Sequence, residues 1–145
     1  MHIQYHIGYL SDLASELPLP LYGSRVAAGF PSPADDYLEA KLDLNTHLIK
    51  HPSATFFARA EGDSMRGRGI YPGDLLIIDR SIQPKHGYTI IAALHGELTC
   101  KILDTQQRCL VAANRNYAPM PITEDSGFSI EGVVVASIRY QLCSP

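Results

Sequence analysis

The chain has 145 residues, 46% of them hydrophobic, with a formal net charge of −3 and a pI near 6.0. That length supports one ordinary core and no second domain, so the expectation is a single soluble domain with an appended arm. A mildly acidic chain argues against broad phosphate-backbone binding, which needs Lys and Arg gathered on one face, and assigns any link to DNA to a partner. Cys100, Cys109 and Cys143 are odd in number and lack CxxC spacing, which suits inert thiols in a reducing cytoplasm better than a disulfide framework. Asp12 and Glu16 stand where a signal peptide would be apolar, and no run of about 18 apolar residues offers a membrane span. The expected location is cytoplasmic.

From Met1 to about Pro33 there is little periodic apolar pattern, and Pro18, Pro20, Pro31 and Pro33 favour extended backbone, so this stretch reads as an arm. Between Ala34 and His51 the pattern is helical in short pieces. Tyr37, Leu38 and Leu42 form one stripe, and Asp43 is placed to cap a turn carrying Leu44 and Leu48 before Pro52 stops it. The period then switches to strands. Thr55 to Ala60, Leu75 to Asp79, Tyr88 to Leu94, Glu97 to Leu103, Cys109 to Ala113 and Phe128 to Ile138 are β-branched, aromatic or apolar runs between turn residues. His95-Gly96 predicts a hairpin between the third and fourth of these, and Tyr71-Pro72-Gly73-Asp74 predicts a turn. The fold class is mainly β, with antiparallel sheets, short helices and an extended N-terminal arm.

Two residues stand out chemically. Ser64 lies in the glycine-flanked stretch Gly62-Asp63-Ser64-Met65, and Lys101 sits among apolar neighbours on the Glu97 to Leu103 strand, on the face it shares with Thr99 and Leu103. A serine hydroxyl needs a base, and a lysine serves as one only as the neutral amine, which requires desolvation. Taken alone, each has a bland reading: Ser64 as a turn residue, and Lys101 as an edge-strand side chain reaching solvent.

Four ordered segments change that balance. They are Gly29-Phe30-Pro31-Ser32-Pro33 followed by Asp36-Tyr37; His51-Pro52-Ser53-Ala54-Thr55 leading to Gly62-Asp63-Ser64-Met65; Ile70 followed by Gly73-Asp74-Leu75-Leu76-Ile77; and Gly96-Glu97-Leu98-Thr99-Cys100-Lys101. In this order they resemble the UmuD and LexA family of self-cleaving serine peptidases, from Gly29 to the end of the chain. The resemblance implies that Ser64 is the nucleophile, Lys101 the general base and Ala28-Gly29 the bond cut, with backbone amides of Asp63 and Ser64 as the oxyanion hole. Arg25-Val26-Ala27-Ala28-Gly29 looks more like the LexA site than the UmuD site, which follows a cysteine, yet both present a small residue before glycine. It further implies removal of residues 1–28, leaving 29–145 as the peptidase and dimerisation domain. The implied stimulus is the RecA filament on single-stranded DNA, and the implied role of the cleaved homodimer is in SOS mutagenesis beside a UmuC-like translesion polymerase. No cofactor or metal is implied.

Other features carry less. His47 and His51 have the i, i+4 spacing of a helical metal pair but no adjacent Cys or carboxylate in sequence to complete a site. Arg59, Arg66 and Arg68 read as a solvated loop, with docking to RecA or an effect on lysine protonation as the sharper reading, and Asp74, Asp79 and Arg80 read as turn and surface groups. A LexA-type repressor would need a helix-turn-helix module, for which residues 1–28 are too short, and a signal peptidase should carry an apolar anchor. The alternative from another class is a non-catalytic dimeric module regulating a DNA polymerase.

Overall fold

The computed structural model describes residues 16–23 and 38–142. The chain separates into two compact units, 1–47 and 48–145.

In the first unit, β1 (Leu19–Tyr22) pairs antiparallel with β2 (Leu38–Leu42), Leu19 opposite Leu42 and Leu21 opposite Ala40. The short helix α1 (Leu44–Leu48) follows. Leu38 and Leu42, expected on a helical stripe, therefore lie in a strand. Leu38, Ala40 and Leu42 also alternate with Glu39 and Lys41, so both periods are present, and the partner strand decides between them. Pro20 fits because a two-stranded ladder leaves each strand an open edge. Asp43 caps as expected: its carboxylate accepts the Asn45 N–H at 3.0 Å and its carbonyl the His47 N–H at 2.9 Å.

The second unit is one seven-stranded antiparallel sheet. In chain order its strands are β3 (Thr55–Arg59), β4 (Leu75–Asp79), β5 (Thr89–Leu94), β6 (Glu97–Asp104), β7 (Cys109–Val111), β8 (Met120–Pro121) and β9 (Ser129–Ile138). Across the sheet they run β3-β4-β9-β5-β6-β7-β8. The strands expected from Thr55 onward are all present to within a residue or two, so the mainly β reading holds. Two-residue β8, with proline as half of it, was beyond periodicity. At His95-Gly96 both residues take positive φ, 52° and 79°, the primed turn that matches strand twist and closes β5 onto β6 with Leu94 opposite Glu97.

Both faces of the sheet are covered, and β5 feeds both. Ile90, Ala92 and Leu94 point into one core with Leu103, Leu110 and Val133. Ile91 points into the other, with Met65, Ile70, Leu76 and Ile78. The residues that matter chemically border this second core. In β9 the register slips opposite Ile77/Ile78 and again opposite Ile91/Ala92, bulges that increase the twist of the longest strand.

Gly132 sits between these bulges, where a Cβ would lie 2.5 Å from Cγ2 of fully buried Ile78. Gly132→Ala is expected to cost about 1–3 kcal/mol, the range for overpacking a filled core, read from the urea midpoint. A variant as stable as the parent would mean that Ile78 has room to move.

Candidate active site

Ser64 lies on the connection from β3 to β4, and that connection is tied at its base. Ala60 donates its N–H to the Asp74 carbonyl at 2.8 Å, and Gly73 donates to the Ala60 carbonyl at 2.9 Å. The turn at Tyr71-Pro72-Gly73-Asp74 forms as expected, with the Asp74 N–H on the Tyr71 carbonyl and the Tyr71 N–H on the Asp74 carboxylate. Between these ties Met65 and Ile70 drop into the core, each burial worth roughly 1.5–3 kcal/mol. The serine next to Met65 is thereby fixed in place and only 9% exposed.

Lys101 reaches it from β6. Its Nζ stands 3.0 Å from Ser64 Oγ, 2.9 Å from Thr99 Oγ1 and 3.2 Å from the Cys100 carbonyl. Desolvation by burial lowers the Lys101 pKa, opposed by the neighbouring Cys100 thiol. A neutral amine has two N–H donors and one lone pair. Thr99 and the Cys100 carbonyl can take the two donors, which leaves the lone pair facing the serine hydroxyl. Such an arrangement can accept a hydroxyl proton.

The peptide before the serine is also fixed. The Asp63 carbonyl accepts the side-chain amide of Asn114 at 3.0 Å and the Arg66 N–H at 3.3 Å. In a trans peptide the following N–H points the opposite way, so the Ser64 N–H faces away from Asn114. A cleft of about 440 Å³ runs past Ser64 and Lys101, with Phe56, Ala58, Met65, Leu98 and Tyr117 among its walls.

Of the site residues expected from sequence, Ser64, Asp63 and Lys101 come together here, while Ala28 and Gly29 lie outside the described residues. Strand alternation puts Thr99 on the Lys101 face, as read from the sequence, though not its contact with Nζ. The sequence reading did not include Asn114 and Tyr117. Asn114 and Tyr117 come from an aperiodic stretch with no such signal.

The weaker features resolve differently from their sequence reading. Asp74 and Asp79 are buried rather than surface groups. Asp74 takes Arg139 through Nε at 3.1 Å and a terminal nitrogen at 2.9 Å, and Asp79 takes His51 Nδ1 at 2.6 Å together with the Ser81 N–H and hydroxyl. The helical spacing of His47 and His51 does not exist, because α1 ends at Leu48, and His51 does have a carboxylate neighbour in Asp79. Arg68 donates to Thr89 Oγ1 and the Gly87 carbonyl, Arg66 stacks on Tyr71 and Arg59 on Tyr140. Burial raises the pKa of the Cys100 thiol to about 11 and also that of Cys109, as befits unreactive thiols; Cys143 is outside the described residues.

Comparison with known proteins decides the family. The model of the Peptidase S24-like family matches residues 20–135, a span that holds Ala28-Gly29, Ser64 and Lys101 together. The chain belongs to the Peptidase S24-like family. It is 40% identical to protein MucA of Salmonella typhimurium over 128 residues, covering 86% of this chain and 88% of that one. Protein SamA of Salmonella typhimurium is 45% identical over 121 residues, 83% of this chain and 84% of that one. LexA repressor of Shewanella denitrificans is 35% identical over 131 residues, 88% of this chain but 63% of the repressor. The family match and the LexA relative agree with the UmuD and LexA family resemblance read from the four sequence segments. Among the described residues, no helix is long and apolar enough to cross a membrane.

The Asp74–Arg139 pair braces the base of the serine loop, and its acid response follows from its charge. The hydrogen bond from Arg139 lowers the Asp74 pKa, burial opposes it, and the Tyr71 N–H lowers it further. The folded state thus binds fewer protons than the unfolded state. The associated stability is present above the ordinary carboxylate value near 3.9 and is lost as pH falls through the lower folded value. Arg139→Ala is expected to be less stable at neutral pH and to show a weaker acid dependence below about pH 4, measured as urea midpoints across that range. An unchanged acid profile would remove the pair from this role.

Proposed function

We propose that the protein cleaves its own chain at Ala28-Gly29, with Ser64 as nucleophile and Lys101 as general base. The observation that carries this reading is the 3.0 Å approach of a part-buried lysine amine, its pKa lowered by desolvation, to a buried serine hydroxyl. Membership of a peptidase family supports it independently.

In this mechanism the arm enters the cleft as an extended segment, and the small Ala28 side chain lets its carbonyl approach Ser64 Oγ. Oγ attacks the carbonyl carbon as its proton passes to Lys101 Nζ. The amides of Asp63 and Ser64 are assigned to the resulting oxyanion. The ammonium returns that proton to the nitrogen of Gly29, the C–N bond breaks, and residues 1–28 remain as an ester on Ser64. A water gives its proton to Nζ and attacks the ester, and Nζ passes the proton to Ser64 Oγ as the C–O bond breaks, freeing residues 1–28 as a carboxylic acid. Residues 29–145 are left as the mature domain. Tethering supplies a high effective concentration, so the cleft does not need deep specificity contacts.

We assign the activity to SOS mutagenesis in the cytoplasm, in keeping with the MucA and SamA relatives. In this reading a RecA filament on single-stranded DNA favours the docked arm or the neutral amine. The cleaved homodimer then serves a UmuC-like translesion polymerase. Restraint then has two physical sources, since a protonated Lys101 cannot act as base and an undocked arm is out of reach of Ser64.

Ser64→Ala and Lys101→Ala are each expected to leave the chain intact in isolated protein incubated at alkaline pH, with intact mass as the readout; release of residues 1–28 from either would refute the pair. In the unmodified protein the rate is expected to rise with pH from neutrality toward the ordinary lysine value near 10.4, as the neutral amine grows in. A flat profile over that range would exclude the lysine as the titrating base.

A further inference from the structure

The loop joining β7 to β8 holds the serine loop at several points, and these contacts converge on Asp63. Gly67 donates its N–H to the Ala113 carbonyl at 2.7 Å. Asn114 donates its side-chain amide to the Asp63 carbonyl at 3.0 Å, and Tyr117 donates its hydroxyl to the Asp63 carboxylate. Asn114 is itself braced, since its side-chain oxygen accepts the Asn116 N–H at 3.0 Å and its carbonyl accepts the Tyr117 N–H at 3.1 Å. The approach is tight enough that a Cβ on Gly67 would lie 2.6 Å from the Ala113 oxygen.

We infer that Asn114 and Tyr117 are positioning residues for the proposed cleavage. They set the Asp63–Ser64 peptide plane so that the serine amide faces the reacting carbonyl rather than the protein. The inference rests on the Ser64 reading above and extends it. Asn114 acts on the peptide plane directly through the Asp63 oxygen, and Tyr117 acts on the same residue through its carboxylate while its ring forms part of the cleft wall. Neither touches Lys101 in the hydrogen-bond network, so they govern how well the oxyanion is received and not how readily the proton is taken. The charged groups lining the same cleft are Arg59, Glu61 and Lys101. The hydrogen bond to Asp63, with a smaller effect of burial, raises the Tyr117 pKa, which favours the phenol as the donor.

The test uses the full chain and two variants, Asn114→Asp, which replaces a donor with an acceptor at the same volume, and Tyr117→Phe, which deletes only the hydroxyl. Self-cleavage and phosphonylation by a fluorophosphonate serine reagent are measured from neutral to alkaline pH, with thermal melts alongside and Ser64→Ala as the blank. Both rates are expected to fall together, roughly tenfold or more for Asn114→Asp and several-fold for Tyr117→Phe, with the pH midpoint unmoved. Wild-type rates in both variants, or a moved midpoint with an unchanged plateau, would overturn the inference. If Asn114→Asp does not fold, Tyr117→Phe alone decides. Cleavage or labelling in the Ser64→Ala blank would sink the Ser64 reading instead, which keeps the two failures distinct.

Discussion

The proposed chemistry depends on keeping one amine partly dry. A lysine on a solvated strand holds its proton through the whole physiological range and can only donate. Desolvation by burial shifts Lys101 away from that state, while its own strand supplies Thr99 Oγ1 and the Cys100 carbonyl as acceptors. These acceptors serve the neutral amine, which has two hydrogens, without demanding a third. Had a carboxylate stood beside it, the ammonium would have been stabilised and the base lost.

That requirement explains the division of labour in the fold. The amine rides on the sheet, on β6, paired to β5 with Lys101 opposite Ile90. Its partner rides on a loop, and a loop usually positions a group less well than a strand does. Here the loop is held on every side: by the ladder-like ties of Ala60, Gly73 and Asp74 at its base, by Met65 and Ile70 in the core, and by the β7–β8 connection over Asp63 and Gly67. Arg139, arriving from just beyond β9, links the Asp74 carboxylate to the Gly69 carbonyl. A connection whose regular structure is the single 3₁₀ turn Arg66–Arg68 is thus held by sheet, core and ion pair at once.

The strands and the serine–lysine relationship were legible in the sequence because they rest on local pattern and on ordered motifs. β-Branched runs between turns locate β3 to β7 and β9, and alternation alone puts Thr99 on the Lys101 face. What stayed hidden is whatever depends on a distant partner. Leu38 to Leu42 fits two periods until a second strand chooses one. Asp74 and Asp79 look like surface turn residues because the arginine and histidine that cover them lie far away in sequence. Asn114 and Tyr117 carry no period and no motif within their own segment, and their meaning comes only from Asp63, more than fifty residues earlier.

The same distances bear on how the proposed self-cleavage can coexist with a stable, restrained protein. The elements that hold Ser64 do not contact the amine: the core residues, the Asp74 pair and the Asn114 contact make no hydrogen bond to Lys101. Protonation therefore has no reason to dismantle the site, and a charged Lys101 can still donate to Ser64, Thr99 and the Cys100 carbonyl in the same geometry. In the proposed mechanism this makes inactivity a matter of one proton and of arm docking, both reversible, with no refolding needed on activation. A partner that biases either equilibrium by a factor of ten contributes about 1.4 kcal/mol, well within the reach of an ordinary interface and too little to need any change in the sheet itself.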